Sequence, residues 1–499
     1  MRNVKLQVFA SSAIALSLVQ VPGLSSAQVN PSQAVKSLVV QLLERNDSIR
    51  AKQLLKKSAD AEIERAEGKF DPILAASISH GLQKEPNTAE EAVTRSGDIY
   101  QRDASDYAAS VSKLFATGAQ FEAKLTFSRF MTSAIQAVQP GQPPNVRAYY
   151  GLSMMQPLMR DAGSAVSQAS VNWARLDADA TVADIDDTRN TVVAQGLLVF
   201  YDLQAAIKRE QIAAEKMAMA TRLLVLAKKA KKAGRVTGAE VWDVENSLDR
   251  FRVAALEAAQ NRVEQHNRLQ TLLMTEAKSD AAQWADALPQ QAQAAGNAED
   301  LLSQALAHRG DYRRQKLMLE RAESQLAYAD NQRQPRVDLS LNYGQNGLSY
   351  YRAQALSLAN TKDTPTWSVG LQFQAPLGKN RPAEAGYVQA RARVDEASLS
   401  LQALEVSIRN EIDSSLRLVD SVSQRWAQWA DVAKREQEQL ILERKRLENG
   451  RSDLRELLFK EERNLNAQMS VVEQQASYAK ALVLQQAASG TLVQAYVNP

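Results

Sequence analysis

Two periodicities share this chain. In several short stretches apolar and polar residues alternate one for one. Val337, Leu339, Leu341 and Tyr343 fall on one side of such a stretch, and Asp338, Ser340, Asn342 and Gly344 on the other. Trp367, Val369, Leu371 and Phe373 alternate with Ser368, Gly370, Gln372 and Gln374. Phe121, Ala123, Leu125 and Phe127 alternate with Glu122, Lys124, Thr126 and Ser128, and Leu74, Ala76, Ile78 and Leu82 oppose Ala75, Ser77, Ser79 and Gln83. A period of two predicts strands with one apolar face. Elsewhere the apolar spacing is four and three. Leu465, Met469, Val472, Ala476, Ala479 and Val483 follow it, as do Val244, Leu248, Phe251, Ala255 and Ala258. That is a heptad seam between helices, and its alanines permit close approach.

The strands and helices recur in one order. Residues 72–81 (PILAASISHG) match 335–344 (PRVDLSLNYG), and 151–158 (GLSMMQPL) match 370–377 (GLQFQAPL). Residues 174–177 (ARLD) match 392–395 (ARVD). Gly234 and Arg235 with Glu240 and Glu245 match Gly450 and Arg451 with Glu456 and Glu461. The pattern predicts a duplicated unit of strand, strand, very long helix, turn and helix.

Proline and glycine punctuate the units. No proline lies between Leu158 and Leu288, or between Ala383 and Asn498. Proline is excluded from helix interiors, so these runs predict long helices. The glycines at 234, 238 and 450 divide them. Residues 164–233 and 382–449 then make helices of about 105 Å each at 1.5 Å per residue. Residues 237–277 and 452–488 make shorter ones. Helices over 47–69 and 311–332 can stack end to end on these and match the long helix beside them. A turn at Thr117 and Gly118 adds a hairpin over 107–130, with polar outer loops at 84–106, 131–146 and 345–366. The first half then has four strands, or two if the hairpin stands apart, and the second half two.

Composition narrows the setting. Arg2 and Lys5, an apolar run over 8–21 and small residues at 25–27 read as a secretory signal peptide over 1–27. No other run reaches the roughly 18–20 apolar residues of a transmembrane helix, so membrane entry requires a closed barrel. Strands of about 9–11 residues with one apolar face suit an outer-membrane barrel. A half-buried soluble sheet shows the same alternation. The signal peptide, the polar loops and the repeat decide for the barrel. Four to six strands fall short of the roughly eight that close one, so the chain must oligomerise. Three copies give 12 or 18 strands and 12 helical struts. There is no cysteine, which excludes disulfides and thiolate metal sites. Loss of Arg2 and Lys5 lowers the formal charge from +3 to +1, which argues against a nucleic-acid partner.

Residues 305–311 (ALAHRGD), 320–330 (ERAESQLAYAD) and 334–341 (QPRVDLSL) stand in a further order. In it the chain resembles the outer-membrane efflux proteins of the TolC type, over nearly its whole mature length. The resemblance implies an α+β membrane protein: a homotrimer with an outer-membrane β-barrel continued by a periplasmic coiled-coil tunnel. It implies an equatorial belt from residues 29–45, 279–299 and those after 488. It also implies a periplasmic adaptor (membrane fusion) protein and an inner-membrane pump or ABC transporter as partners, in efflux or type I secretion. The units are then 28–69, the barrel strands 70–158, the hairpin 159–278, the connecting segment 279–334, the strands 335–377, the hairpin 378–488 and a tail 489–499.

Nothing in the sequence reads as catalytic. His80, His266 and His308 are far apart, with no metal-ligand spacing and no phosphate-binding loop, and no cofactor is expected. The candidate chemistry lies at the two glycine turns. The resemblance places Gly234 and Gly450 at the periplasmic tip where an adaptor docks, and Glu456 at the tunnel constriction, with Glu240 as its first-half equivalent. Three copies of Glu456 would form a carboxylate ring that favours cations. The chain departs from the family pattern at Phe459, where a second acidic residue is expected, and at Ser452 and Leu447. Arg235, Arg451 and Arg455 are the substitutes for the closing bonds. Trp367, Val369, Leu371 and Phe373 are expected to face lipid. The rival reading is a soluble periplasmic coiled-coil adaptor or spacer.

Overall fold

The computed structural model describes residues 33–95, 97–234, 236–275, 288–289, 296–449 and 451–497. The expected signal peptide and most of the 279–299 segment lie outside the described residues. Two helices come first, α1 (Gln33–Arg45) and α2 (Asp47–Glu67). Four strands follow: β1 (Ile73–Pro86), β2 (Ile99–Leu114), β3 (Gln120–Thr132) and β4 (Asn145–Pro157). Short helices α3 (Ala89–Arg95) and α4 (Ser133–Val138) sit in their loops, and α5 (Ser164–Ser167) follows them. The first hairpin is α6 (Ala169–Lys232) with α7 (Gly238–Leu272). Then come α8 (Ala298–His308), α9 (Gly310–Gln332), β5 (Arg336–Ser349), α10 (Arg352–Asn360) and β6 (Pro365–Gln374). The second hairpin is α11 (Arg381–Glu448) with α12 (Leu454–Ala488), and α13 (Leu492–Val497) ends the described chain.

The six strands form one antiparallel sheet in chain order, so the 107–130 hairpin belongs to it. Its turn needs Gly118: φ is +88°, and a Cβ there would sit 2.7 Å from the Asp161 carbonyl oxygen. The register aligns the two faces across all six strands. Leu74, Val111, Ala123, Leu152, Tyr343 and Trp367 form one row. The adjacent row is Ile73, Ser112, Glu122, Ser153, Asn342 and Ser368. The sheet therefore presents one apolar and one largely polar side. The strands run further than expected at the loop end, since Tyr100 to Asp106 belong to β2 and 345–349 to β5. Ladder hydrogen bonds hold these mostly polar rim residues in the sheet, and of them Ala104, Gln345 and Gly347 are buried as well.

The long helices follow from uninterrupted helix formers and from their caps. Gln168 breaks the first helix after one turn. Thr237 and Glu240 form a reciprocal capping box on α7, and Asp453 caps α12 by accepting the Glu456 backbone N–H at 2.7 Å. Pro382 stands in the first turn of α11, where its missing N–H costs nothing.

The helices pack side by side in two tiers. In one tier the order is α7, α6, α12, α11; in the other, nearer the sheet, it is α2, α6, α9, α11. The short helices meet end to end as their lengths predicted. Asn46, the N-cap of α2, donates to the Leu272 carbonyl at the end of α7 (3.2 Å). Arg309, the N-cap of α9, donates to the Ala488 carbonyl at the end of α12 (3.1 Å). Between the tiers lies the largest core cluster. Leu38, Leu42, Phe200, Leu203, Leu269 and Leu492 are fully buried there, so α1 and α13 clasp α6 at mid-height. Among the described residues no helix is long and apolar enough to cross a membrane.

Candidate channel gate and membrane face

The two hairpin turns lie side by side at the end remote from the sheet. Gly234 has φ +71°, which a left-handed helix end requires. Arg235 and Gly450 lie outside the described residues. Arg451 is exposed, and its backbone N–H closes the second turn on the Arg446 carbonyl at 2.8 Å. Ser452 donates its hydroxyl to Glu443.

The two equivalent glutamates do different things. Glu240 accepts the backbone N–H of Thr237 at 2.7 Å and its hydroxyl at 2.9 Å. These bonds, the backbone one foremost, hold its carboxyl below the usual range. Its charge is committed to the helix cap. Glu456 is half exposed, and among the described residues its side chain has only a loose ion pair, 3.7 Å, with Lys460. Phe459 is equally open and lies beside Lys460 and Arg463 at 5.9 and 5.6 Å. Glu456, Phe459 and Arg463 share one face of α12. Glu461 is about 140° away at 100° per residue. It is buried against α11, where Arg444 Nε donates to it at 2.9 Å.

Several polar ties brace this end. Within the second hairpin, Arg463 reaches buried Glu436, and Lys460 donates to Gln439 at 3.1 Å. Between hairpins, Arg455 pairs with Asp243 of α7 at 2.9 Å. Deeper, Lys216 donates to Asn466 at 2.6 Å, Arg209 meets Glu473 at 3.2 Å, and Lys480 meets Asp202 at 2.6 Å. Burial pushes the Lys216 ammonium down, and the Glu462 charge opposes this. Asp243, Asn246, Arg250, Arg455, Phe459 and Glu462 line an open groove of about 750 Å³ between α7 and α12. Sequence reading selected Arg455 and missed Asp243, Glu436 and Glu443. Glu436 and Glu443 are seven residues apart on α11, a heptad spacing that marks them as seam positions.

At the opposite end Trp367, Val369, Leu371 and Phe373 are each about two-thirds exposed on the apolar side of the sheet. Their ladder partners Tyr343, Leu341, Leu339 and Val337 continue the same surface. Among the described residues no group of three or more His, Asp or Glu is placed to hold a metal ion.

No family model and no curated protein matches the chain. Solved structures do match. The outer-membrane channel OprN superposes with a TM-score of 0.66 at 17% identity, over 92% of this chain and 90% of that one. The CmeC outer-membrane channel of Campylobacter jejuni gives 0.63 at 15%, over 92% and 86%. The open-state MtrE outer-membrane channel of Neisseria gonorrhoeae gives 0.61 at 17%, over 93% and 91%. The chain thus has the fold of these channels, as its resemblance to TolC-type proteins implied.

Proposed function

We propose that the chain is the outer-membrane exit duct of a tripartite export system, assembled as a homotrimer and catalysing no reaction. The observation that carries this reading is the one-sided apolar row crossing all six strands, joined directly to helices of 64 and 68 residues. A sheet so faced sits with its apolar side in lipid and its polar side around water. Helices of that length reach about 100 Å beyond it. Both edges of the protomer are unfinished. One is lined by Trp242, Val253 and Leu256 of α7, all exposed, and the other by Leu399, Val406 and Leu442 of α11. Head-to-tail closure of three copies buries both and yields eighteen strands, enough for a water-filled lumen. An inner-membrane pump, as in efflux or type I secretion, would deliver substrate. A periplasmic adaptor would dock at the turns of Gly234 and Gly450, and opening would break ties such as Arg455–Asp243.

Fractionation tests location: heat-modifiable trimers in the outer membrane support the duct, whereas release as a soluble monomer supports the adaptor or spacer reading. The constriction is tested in planar bilayers. Three Glu456 carboxylates near the axis would raise cation affinity in a narrow mouth. Glu456→Ala should move the reversal potential in a salt gradient towards zero and weaken block by trivalent cations. Glu461→Ala should lower yield through its broken tie to Arg444 and leave selectivity unchanged. The opposite pattern would assign the lumen to the other face of α12.

A further inference from the structure

The sheet contains a template for its own closure. β4 and β5 join the two halves of the chain, with Gly151 opposite Gly344, Ser153 opposite Asn342 and Met155 opposite Ser340. The contact continues past the ladder. The Leu158 N–H donates to the Val337 carbonyl at 2.8 Å, and the Arg160 N–H to the Pro335 carbonyl at 3.3 Å. In the sequence match, β6 corresponds to β4 and β1 to β5. β6 and β1 are the two unpaired edges, and in a six-stranded antiparallel sheet they run in opposite directions. Leu377, the counterpart of Leu158, is completely exposed, at 105% against 49%.

We infer that β6 of one copy pairs with β1 of the next in the register that β4 and β5 hold within the chain. Gly370 then stands opposite Gly81, Gln372 opposite Ser79 and Gln374 opposite Ser77. The Leu377 and Lys379 N–H groups donate to the Leu74 and Pro72 carbonyls of the next copy, which seats Leu377 on its β1. The faces agree. Phe373 meets Ile78 and Val369 meets Leu82 on the apolar side, and Ser368 meets Gln83 on the polar side. A slip of one residue would turn one edge inside out. A slip of two keeps the faces, and the internal match is what decides against it.

The helices give independent support. α9 packs lengthwise against both α6 and α11, whereas α2, its counterpart, packs lengthwise against α6. Leu54 and Leu55 of α2 are exposed, at 63% and 55%. The same seam brings α11 of one copy beside α2 of the next, as α6 lies beside α9 within the chain.

The inference rests on the ring closure proposed above, and the test separates the two. The chain has no cysteine, so engineered pairs report alone. Directly opposed residues have Cα atoms about 4.5–5.5 Å apart and diagonal ones about 7–8 Å, while a disulfide needs about 4.4–6.8 Å. Ser79→Cys with Gln372→Cys, and Ser77→Cys with Gln374→Cys, should give a reducible covalent trimer on denaturing gels after oxidation in isolated outer membranes. Ser77→Cys with Gln372→Cys, and Ser79→Cys with Gln374→Cys, are the two-residue slips and should remain monomeric. Cross-linking only in the slipped pairs overturns the register and keeps the ring. A covalent band of another size overturns the trimer and keeps the seam. No cross-link in protein that migrates as a native trimer overturns the pairing of β1 with β6. No native trimer and no cross-link overturns the ring itself.

Discussion

Leu371→Arg will leave little folded oligomer in the outer membrane, whereas Gln372→Arg, one residue along, will assemble normally. Leu371 lies within the apolar band, opposite Leu339 and two-thirds exposed. An arginine on the lipid face costs about 2–4 kcal/mol at the bilayer midplane. Each of the copies in a ring repeats the cost. Gln372 faces the other way and lies opposite Asp338. One oxygen of that buried carboxylate lacks a partner, and the other accepts from Arg336 at 2.6 Å. An arginine at 372 gains a polar neighbour there. The measurement is the ratio of heat-modifiable oligomer to unfolded monomer in membrane extracts. Equal tolerance of the two changes would show that the apolar face does not meet lipid.

The alternation that places Leu371 was readable because period two needs no knowledge of partners. The helix lengths were readable for a similar reason, since proline and glycine act locally. What stayed hidden depends on distant pairing. β2 begins at Ile99 because β1 offers it a ladder there, joined by β3 from Arg102 on, although Gln101, Arg102 and Asp103 look like loop. Asp243 is tied to Arg455, 212 residues away in the chain. Glu436, Glu443 and Glu461 resemble solvated charges of a helix surface, yet each is more than nine-tenths buried because the α11–α12 seam encloses it. Of the selected gate residues, Glu456 lies on an open face by its position on α12, and Glu240 is bound into a cap. The sequence match sets the two in equivalent places, so sequence alone could not separate them. Arg309 was read only as part of the 305–311 segment that carries the family resemblance, and its role appears once α9 and α12 meet.

That role leads to an effect comparable to that at Leu371. Arg309 has a side chain only 14% exposed, and its guanidinium holds Asp311 at 2.8 Å, Glu411 of α11 at 2.7 Å and the Ala488 carbonyl at 3.1 Å. One cation thus fastens the end of the second hairpin, the start of α9 and the long helix beside them. Burial alone would lower its affinity for its proton, but the bonds and charges of Asp311 and Glu411 outweigh this and raise it above the ordinary arginine value. Burial likewise pushes Asp311 up, and the Arg309 contacts reverse the shift, so its carboxyl lies below the usual carboxylate range. Asp187 is raised, first by burial and then by the Asp311 charge. Removing one member of a mostly buried pair costs about 3–5 kcal/mol. Arg309→Ala should therefore lower the melting temperature of the helical signal in detergent. The sign of its pH dependence follows from the shifts. In the wild type the depressed Asp311 contributes stability above its unfolded value and loses it as pH falls through the folded one, while raised Asp187 works the other way. Without Arg309, burial and mutual repulsion raise both carboxyls, opposed by the Tyr312 N–H bond at Asp311 and the Arg314 charge at Asp187. The variant should then recover stability as pH falls through the raised folded values of the two carboxyls towards their unfolded value of about 4, as protonation relieves the pair. A deficit that stays constant across this range would mean that the guanidinium acts by packing rather than by charge.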